Sequence, residues 1–310
     1  MPIIKVKAIH HVRLSAPDLD RMEQFLTDFG MRRAARTDSA LYMRGMGPGH
    51  YIHVTELGPP GFLGFAYEAR NPEDLETLSK ATGSPVEAID EPGGGSMVVL
   101  TDPNGFRIRV IHGVAQAEPI ADTLSLIRKA GEPSTRRSPA RVTRIAHGVL
   151  ATPKLEESLN WYREMFGFIP TDELYLDDDR MMGSFNRVDA GPELVDHHVF
   201  FCVGNPAAAG MHHASFEVAD PNDVFVGHDH LTRTGYEHIR GPSRHALGSQ
   251  IFDYWVSPYD QMHELWSSNE RFNADSGFNR GRIGQGMAHD TGPAPSQRFV
   301  KQATPAPARS

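Results

Sequence analysis

The chain has 310 residues, of which 39% are hydrophobic and 23% are charged, and its formal net charge is -8. This size and composition are typical of a globular protein with two domains, and the acidic balance argues against binding nucleic acid or an anionic membrane. The apolar runs are too short to cross a bilayer, and the amino terminus lacks the features of a secretory signal. Because Cys202 is the single cysteine, no internal disulfide is expected and the predicted location is cytoplasmic.

The first half of the chain shows a strand and helix pattern that occurs twice. Its predicted elements are a strand at 9–17, a helix at 19–29 that ends at Gly30, a strand at 64–72, a helix at 73–80, and closing strands at 98–101 and 106–112. The helices are indicated by apolar residues at i, i+3, i+4 and i+7, and the turns by proline and glycine.

The second half repeats this pattern. Its predicted elements are a strand at 145–153, a helix at 155–166, a strand at 213–221, a helix at 222–233, and closing strands at 250–256 and 261–266. The chain therefore reads as four copies of one strand-helix-strands module, two in each half. If paired modules pack about a local two-fold axis, as duplicated units commonly do, their equivalent strands face each other across a shared cavity.

Two histidines and a glutamate on the predicted strands of the second half are candidate metal ligands. His147 and His213 occupy the same place in their modules, so both are expected to point into the cavity. On the last strand Glu264 alternates with His263, which is the rival ligand there. Two imidazoles and one carboxylate are the ligand set of a non-haem iron(II) site with open coordination positions.

The first half serves as an internal control. Aligning the modules places His11, Gly64 and Arg109 opposite the three candidate ligands. One imidazole, a glycine and a guanidinium cannot hold a divalent cation. We therefore expect a metal only in the second half.

The stretch from Gly241 to Pro258, followed by His263 and Glu264, resembles the signature of type I extradiol ring-cleavage dioxygenases of the vicinal oxygen chelate superfamily. The similarity extends from residue 10 to residue 266. It implies an α+β fold of two domains, each of two βαβββ modules that form a curved sheet around a cavity. It also implies iron(II), or occasionally manganese(II), in the carboxy-terminal domain alone. One departure is the turn 257–261, where the family usually has Asp-Pro-x-Gly.

The resemblance also implies roles for individual residues. It favours Glu264 over His263, so the implied metal ligands are His147, His213 and Glu264. The implied acid–base residue is His198, and histidine suits that task because its ordinary pKa lies near neutrality. His245 is expected to line the oxygen and substrate pocket, and Tyr254 to hydrogen-bond the bound catecholate; a buried structural role is the alternative for Tyr254.

Other histidines are interpreted as structural or surface residues, among them His53, His228 and His238. His197 and His212 adjoin candidate site residues, but strand alternation predicts that neighbouring side chains point to opposite faces. Both are therefore left out of the predicted site.

The resemblance implies an iron(II) enzyme that cleaves a catecholic ring next to its vicinal diol and incorporates both atoms of O2. Its partners are then a catechol and O2, and its assembly a homo-oligomer. Two alternatives stay open, a glyoxalase-like isomerase or lyase that also needs a metal, and a metal-free protein that binds a small aromatic molecule. The residues do not indicate which catechol is cleaved.

The predicted boundaries give an amino-terminal domain at 1–114, without a metal site, and a catalytic domain at 142–268. Residues 115–141 form a linker with a short helix at 121–129, because proline, serine and arginine are frequent there. Residues 269–310 form an extension over the surface or a neighbouring subunit. Its end is expected to be mobile because it has few large apolar residues.

Overall fold

A computed structural model describes residues 1–121, 138–267, 270–282 and 291–308. Apart from its first residue, the helix predicted at 121–129 lies outside this described part of the chain. No helix within the described ranges is both long and apolar enough to cross a membrane. Each half of the chain forms one large sheet.

The first sheet has eight strands in the order β2-β3-β4-β1-β5-β8-β7-β6. The elements of this half are β1 (Ala8–Ala16), α1 (Leu19–Phe29), β2 (Arg32–Arg36), β3 (Ala40–Arg44), β4 (His53–Leu57), β5 (Gly61–Glu68), α2 (Pro72–Thr82), β6 (Val86–Ala88), β7 (Ser96–Thr101) and β8 (Arg107–His112).

The second sheet has nine strands in the order β15-β16-β17-β14-β9-β13-β11-β10-β19, and β12 pairs separately with β18. The elements of this half are β9 (Val142–Thr152), α3 (Leu155–Phe166), β10 (Ile169–Tyr175), β11 (Met181–Arg187), β12 (Val195–Asp196), β13 (Phe200–Gly204), β14 (Gly210–Val218), α4 (Pro221–Thr234), β15 (Glu237–Arg244), β16 (Ile251–Val256), β17 (Met262–Ser267), β18 (Arg271–Phe272), a short 3-10 helix (Ala274–Ser276), β19 (Asn279–Arg282) and α5 (Gln297–Val300).

Each half contains two βαβββ modules joined through their first strands. β1 pairs with β5 in the first half, and β9 pairs with β14 in the second, both antiparallel. In every module a helix follows the first strand, and three further strands of the same large sheet complete the unit. The α+β class and the four modules are confirmed, whereas the domain boundaries stay predictions.

The helices begin and end where local chemistry favours it. Asp18, Asn71 and Asp220 accept backbone N–H groups at the starts of α1, α2 and α4, which satisfies donors that have no partner within the helix. α3 ends at Gly167, whose φ of 69° costs little without a Cβ atom. These local signals explain why the predicted spans of α1 and α3 agree with the structure.

The two halves pack directly against each other. The rings of Phe25 and Phe29 on α1 contact the ring of His263 on β17. Nε2 of His263 lies 3.1 Å from Nε2 of His53 on β4, and both histidines are buried. A polar pair thus sits inside an aromatic interface between the halves.

Replacing Gly148 with alanine is expected to lower the free energy of unfolding by about 1–3 kcal/mol because it overpacks this interface. A Cβ atom at Gly148 on β9 would lie 2.5 Å from the ring of Phe65, which is fully buried on β5. Gly204→Ala is the control, since the nearest atom would lie 3.6 Å from its Cβ. Urea denaturation measures both variants, and equal stability of the two would contradict this packing.

Candidate metal centre

Three adjacent strands of the second sheet carry His147, His213 and Glu264. β14 lies between β9 and β17, and Ser215 on β14 pairs with His147 on one side and with Glu264 on the other. Paired positions on adjacent strands share a face, and His213 lies two residues before Ser215 on that same face. The duplicated first strands thus bring both histidines to one place.

The donor atoms of these side chains are close enough to share one cation. Nε2 of His147 lies 3.3 Å from Nε2 of His213 and 3.1 Å from Oε2 of Glu264. Nε2 of His213 lies 3.4 Å from the same oxygen. Adjacent ligands on an octahedral ion with bonds of about 2.1 Å are about 3.0 Å apart. The spacing therefore suits three ligands on one face of an octahedron.

Glu264 gives the strongest indication that this cluster binds a cation. Its side chain is buried, and its oxygens accept no well-aligned hydrogen bond from any described residue. Burial favours a raised pKa, but the neighbouring imidazoles of His147, His213 and His245 outweigh it and hold the pKa of Glu264 well below its usual range. An ionised carboxylate in such a place needs a positive partner, so these residues fit a divalent metal ion.

His147 is suited to metal binding by its protonation state. Burial lowers the pKa of His147 to about 4, so its ring is neutral at pH 7. A neutral imidazole keeps a lone pair for a metal, whereas the imidazolium cation does not.

His263 does not compete for this place, because its ring points to the opposite side of β17. It contacts His53 and the aromatic side chains of α1, as described above, and its Nδ1 lies 3.0 Å from the carbonyl of Gln261. Strand alternation therefore separates the two neighbours: His263 faces the other half, and Glu264 faces the imidazoles of His147 and His213.

His198 lies directly beside the candidate ligands. Its ring centre is 4.0 Å from that of His147, and its ring also contacts Phe185 and Trp266. Burial among these rings holds the pKa of His198 well below its usual range. The ring is therefore neutral at pH 7.

His245 and Tyr254 lie on another side of the cluster. Nε2 of His245 is 3.0 Å from the Tyr254 hydroxyl and 3.5 Å from Oε1 of Glu264. The ring of Tyr254 contacts that of His213, and His245 stacks on Phe252. The structure thus brings all six predicted site residues together, while their roles stay predictions.

His197 and His212 contact the candidate site residues beside them, although strand alternation predicted side chains on opposite faces; their place outside the predicted site stays a prediction. Nδ1 of His197 lies 2.9 Å from Nδ1 of His198, and Nδ1 of His212 lies 2.7 Å from Nδ1 of His213. His197 lies between strands β12 and β13, and the pairing of β14 with β9 shifts register between Met211 and His213. Simple alternation does not apply at such irregularities. The His-His dipeptide, which occurs at 10–11, 197–198 and 212–213, is the feature of the sequence that could have indicated these contacts.

The first half has an ion-pair cluster at the equivalent place. Arg13 Nη1 lies 2.9 Å from one oxygen of Glu91, and Arg109 Nη1 lies 2.7 Å from the other. These two guanidinium groups outweigh burial and lower the pKa of Glu91. Arg109, the counterpart of Glu264, thus supplies positive charge within the protein where the second half has a carboxylate.

A second cluster of possible ligands lies between α4, β15 and β16, and its groups already satisfy one another. Asp253 is fully buried, and its oxygens lie 3.0 Å from Nδ1 of His228 and 2.8 Å from Nε2 of His238. The Trp255 indole also donates to this carboxylate over 2.6 Å. Three donors stabilise the buried charge, and the structural role of both histidines stays a prediction.

This second cluster predicts a pH dependence of stability. The hydrogen bond to Asp253 raises the pKa of His228 despite the opposing effect of burial. Because the pKa is higher in the folded state, the stabilisation is complete below about pH 6.5 and is lost as the pH rises through the folded value. The unfolding free energy should therefore fall less steeply above pH 6.5 in His228→Gln. Denaturation of the wild type and of His228→Gln between about pH 6 and 8 tests this, with His112→Gln as the control. The same pH dependence of the unfolding free energy in the wild type and in His228→Gln would refute it.

The unusual turn before Glu264 closes normally. The backbone N–H of Ser257 donates to the carbonyl of Gln261 over 2.9 Å. Asp260 stands where the family usually has glycine, and its φ is 62°. Aspartate tolerates this left-handed conformation better than most residues, so the departure from the family pattern leaves β17 in place.

The carboxy-terminal segment lies beside β14, the strand that carries His213. Gln302 and Thr304 are buried, and Thr304 forms two backbone hydrogen bonds with Met211 on β14. The carbonyl of Pro305 accepts from Phe62 in the first half. The placement of the extension over the surface or a neighbouring subunit, and the mobility of its last residues, stay predictions.

Comparison with known proteins gives both a family and a fold. A sequence model of the Glyoxalase/Bleomycin resistance protein/Dioxygenase superfamily matches residues 8–110 and 144–266. Metapyrocatechase 2 of Cupriavidus necator is 28% identical over 307 residues, which cover 96% of this chain and 92% of that protein.

Two solved structures have the same fold. The Mn(II)-bound glyoxalase from Novosphingobium aromaticivorans has a TM-score of 0.81 and 21% identity, covering 98% of this chain and 96% of its own. Homoprotocatechuate 2,3-dioxygenase from Brevibacterium fuscum, in complex with 3,4-dihydroxyphenylacetate, has a TM-score of 0.82 and 18% identity, covering 98% and 94%.

Proposed function

Since this chain belongs to the glyoxalase/bleomycin resistance protein/dioxygenase superfamily, we propose that it is an extradiol dioxygenase. It opens a catecholic ring next to the vicinal hydroxyl groups and incorporates both atoms of O2. Its metal is iron(II), with manganese(II) as the alternative. The similarity to metapyrocatechase 2 over almost the whole chain supports this reaction.

The observation that carries the proposal is the buried carboxylate of Glu264 beside two imidazoles, with further polar groups around it. A metal-binding role alone does not require His198 or the pair of His245 and Tyr254. Their proximity to the ligand atoms supports a reaction that moves protons.

Iron(II) held by His147, His213 and Glu264 would lower the pKa of the diol hydroxyls and would supply the redox chemistry toward dioxygen. His198 accepts a proton from the substrate and returns it during ring opening, because its imidazole lies beside the candidate ligands and can both accept and donate a proton. The Tyr254 hydroxyl, which lies 3.0 Å from Nε2 of His245, orients a diol oxygen beside the ligand cluster.

An isomerase or lyase of the same superfamily is the main competitor, because the Mn(II)-bound glyoxalase has a closely similar fold. Such reactions use no O2, so turnover under strict exclusion of oxygen would favour them. A metal-free binding protein would contain no stoichiometric metal.

Anaerobic reconstitution with Fe(II) or Mn(II), followed by a panel of catechols and O2, tests the proposal. The panel should include catechol, 3,4-dihydroxyphenylacetate and 2,3-dihydroxybiphenyl. We expect O2 uptake, a yellow ring-opened product and a metal content that His213→Ala loses. A metal-loaded protein that consumes no O2 with any catechol would refute the dioxygenase.

We also propose that the protein is cytoplasmic and forms a homo-oligomer. The proposal leaves open which catechol is the substrate. Rates across the panel rank the substrates, and light scattering after gel filtration measures the assembly.

A further inference from the structure

We propose that the carboxy-terminal helix α5 is part of the metal centre, because the carbonyl of Phe299, acting through His212, sets the tautomer of His213. His212 is thus a positioning residue for a metal ligand. This inference rests on the metal site of the proposed function but not on the reaction.

The chain of hydrogen bonds begins at a group that can only accept. Nε2 of His212 lies 2.9 Å from the carbonyl oxygen of Phe299. A carbonyl has no proton to give, so Nε2 of His212 must carry the hydrogen. A neutral imidazole has one N–H, which leaves Nδ1 of His212 as an acceptor.

The neutral form of His212 is the one that this environment favours. The ring is 7% exposed, and its two hydrogen-bond partners are a carbonyl and an imidazole. Neither partner carries a negative charge, and a buried cation without such a partner is costly.

The next link follows from the contact between the two neighbouring rings. Nδ1 of His212 lies 2.7 Å from Nδ1 of His213. Since the former accepts, the hydrogen must sit on Nδ1 of His213. The lone pair of His213 is then on Nε2, the atom that lies beside His147 and Glu264. Outer partners of metal-bound histidines commonly act in this way.

The tail is anchored so that it can hold this carbonyl in place. The ring of Phe299 contacts those of His212 and Tyr254. The paired hydrogen bonds between Thr304 and Met211 lie one residue from His212. Gly210 permits this approach, because a Cβ atom there would lie 2.3 Å from the carbonyl of Thr304.

An analogous arrangement occurs behind His198. Asp172 Oδ2 lies 2.6 Å from Nε2 of His197, whose Nδ1 lies 2.9 Å from Nδ1 of His198. The pair of His10 and His11 in the first half has the same Nδ1 contact, at 2.8 Å. That pair adjoins the arginine cluster, so it provides a matched control without a metal ligand.

Mn(II) affinity of the full-length apoprotein, measured by the EPR signal of free Mn(II), tests the inference. We expect His212→Leu to raise the dissociation constant about 10- to 100-fold. His212→Asn should retain most of the affinity, because its Oδ1 can accept from His213 in place of Nδ1. His10→Leu should bind as the wild type. Wild-type affinity in His212→Leu would overturn the inference, and so would equal losses in His212→Leu and His212→Asn.

Nitrogen-15 NMR of the histidine-labelled wild-type apoprotein gives a second, independent test, since it shows which ring nitrogen of His213 carries hydrogen. A hydrogen on Nδ1 is expected, and a hydrogen on Nε2 would overturn the inference even if the variants fail to fold. Normal Mn(II) binding without O2 uptake would refute the dioxygenase alone. An unchanged affinity in His212→Leu would refute this inference alone.

Discussion

Glu264→Gln is expected to raise the dissociation constant for Fe(II) by more than about 100-fold, because losing even an outer partner of a ligand costs about 10- to 100-fold. The amide is neutral, so the site loses the buried charge that balances a divalent cation. Anaerobic titration of the apoprotein with Fe(II) measures the change. Wild-type affinity in this variant would exclude Glu264 as a ligand.

The neighbouring residue on β17 provides the control for this variant. His263→Leu should leave the Fe(II) affinity unchanged, since its ring faces the other half of the molecule. It should instead lower the free energy of unfolding by about 1–3 kcal/mol, because the buried ring of His53 loses its partner. A loss of Fe(II) in His263→Leu, with the fold intact, would reverse the assignment of the two residues.

His198→Asn is expected to lower kcat about 100- to 10,000-fold with little change in metal affinity, which is the range for loss of a general acid–base group. The ring of His198 lies beside that of His147, but its nitrogens do not belong to the group of ligand atoms formed by His147, His213 and Glu264. Steady-state O2 uptake by the Fe(II)-loaded enzyme, at saturating catechol, measures kcat.

Two controls accompany this measurement. Metal analysis must show equal iron in the wild type and His198→Asn, so that a slow reaction is not a missing cofactor. His112→Asn, on β8 of the first half, should keep wild-type kcat. A His198→Asn enzyme as fast as the wild type would remove His198 from the proton transfers.

The duplicated modules were predictable from sequence because each uses strong local signals. The helices at 19–29 and 155–166 are indicated by their amphipathic spacing and by the glycine that follows each of them. Aligning the copies then places His147 and His213 at equivalent positions. Local signals of this kind survive in a single sequence, because they depend on neighbours within a few residues.

The hydrogen-bond partners of the candidate ligands could not be predicted in the same way. The position of His212 depends on a register shift in β14, and its partner Phe299 is 87 residues away in sequence. A four-residue helix such as α5 has too little periodicity to be recognised. Contacts of this kind arise only when the whole chain has packed.

His263 and Glu264 are neighbours on β17, so this one strand takes part both in the packing of the two halves and in the candidate metal site. One side of β17 takes part in the docking of the halves, and the other side faces the ligand cluster. A cation that binds only the folded state therefore adds its binding free energy to the whole molecule. Thermal unfolding of the metal-loaded protein should accordingly be a single cooperative transition, in which the first half, where we predict no metal, gains resistance to heat from the ion bound by the second.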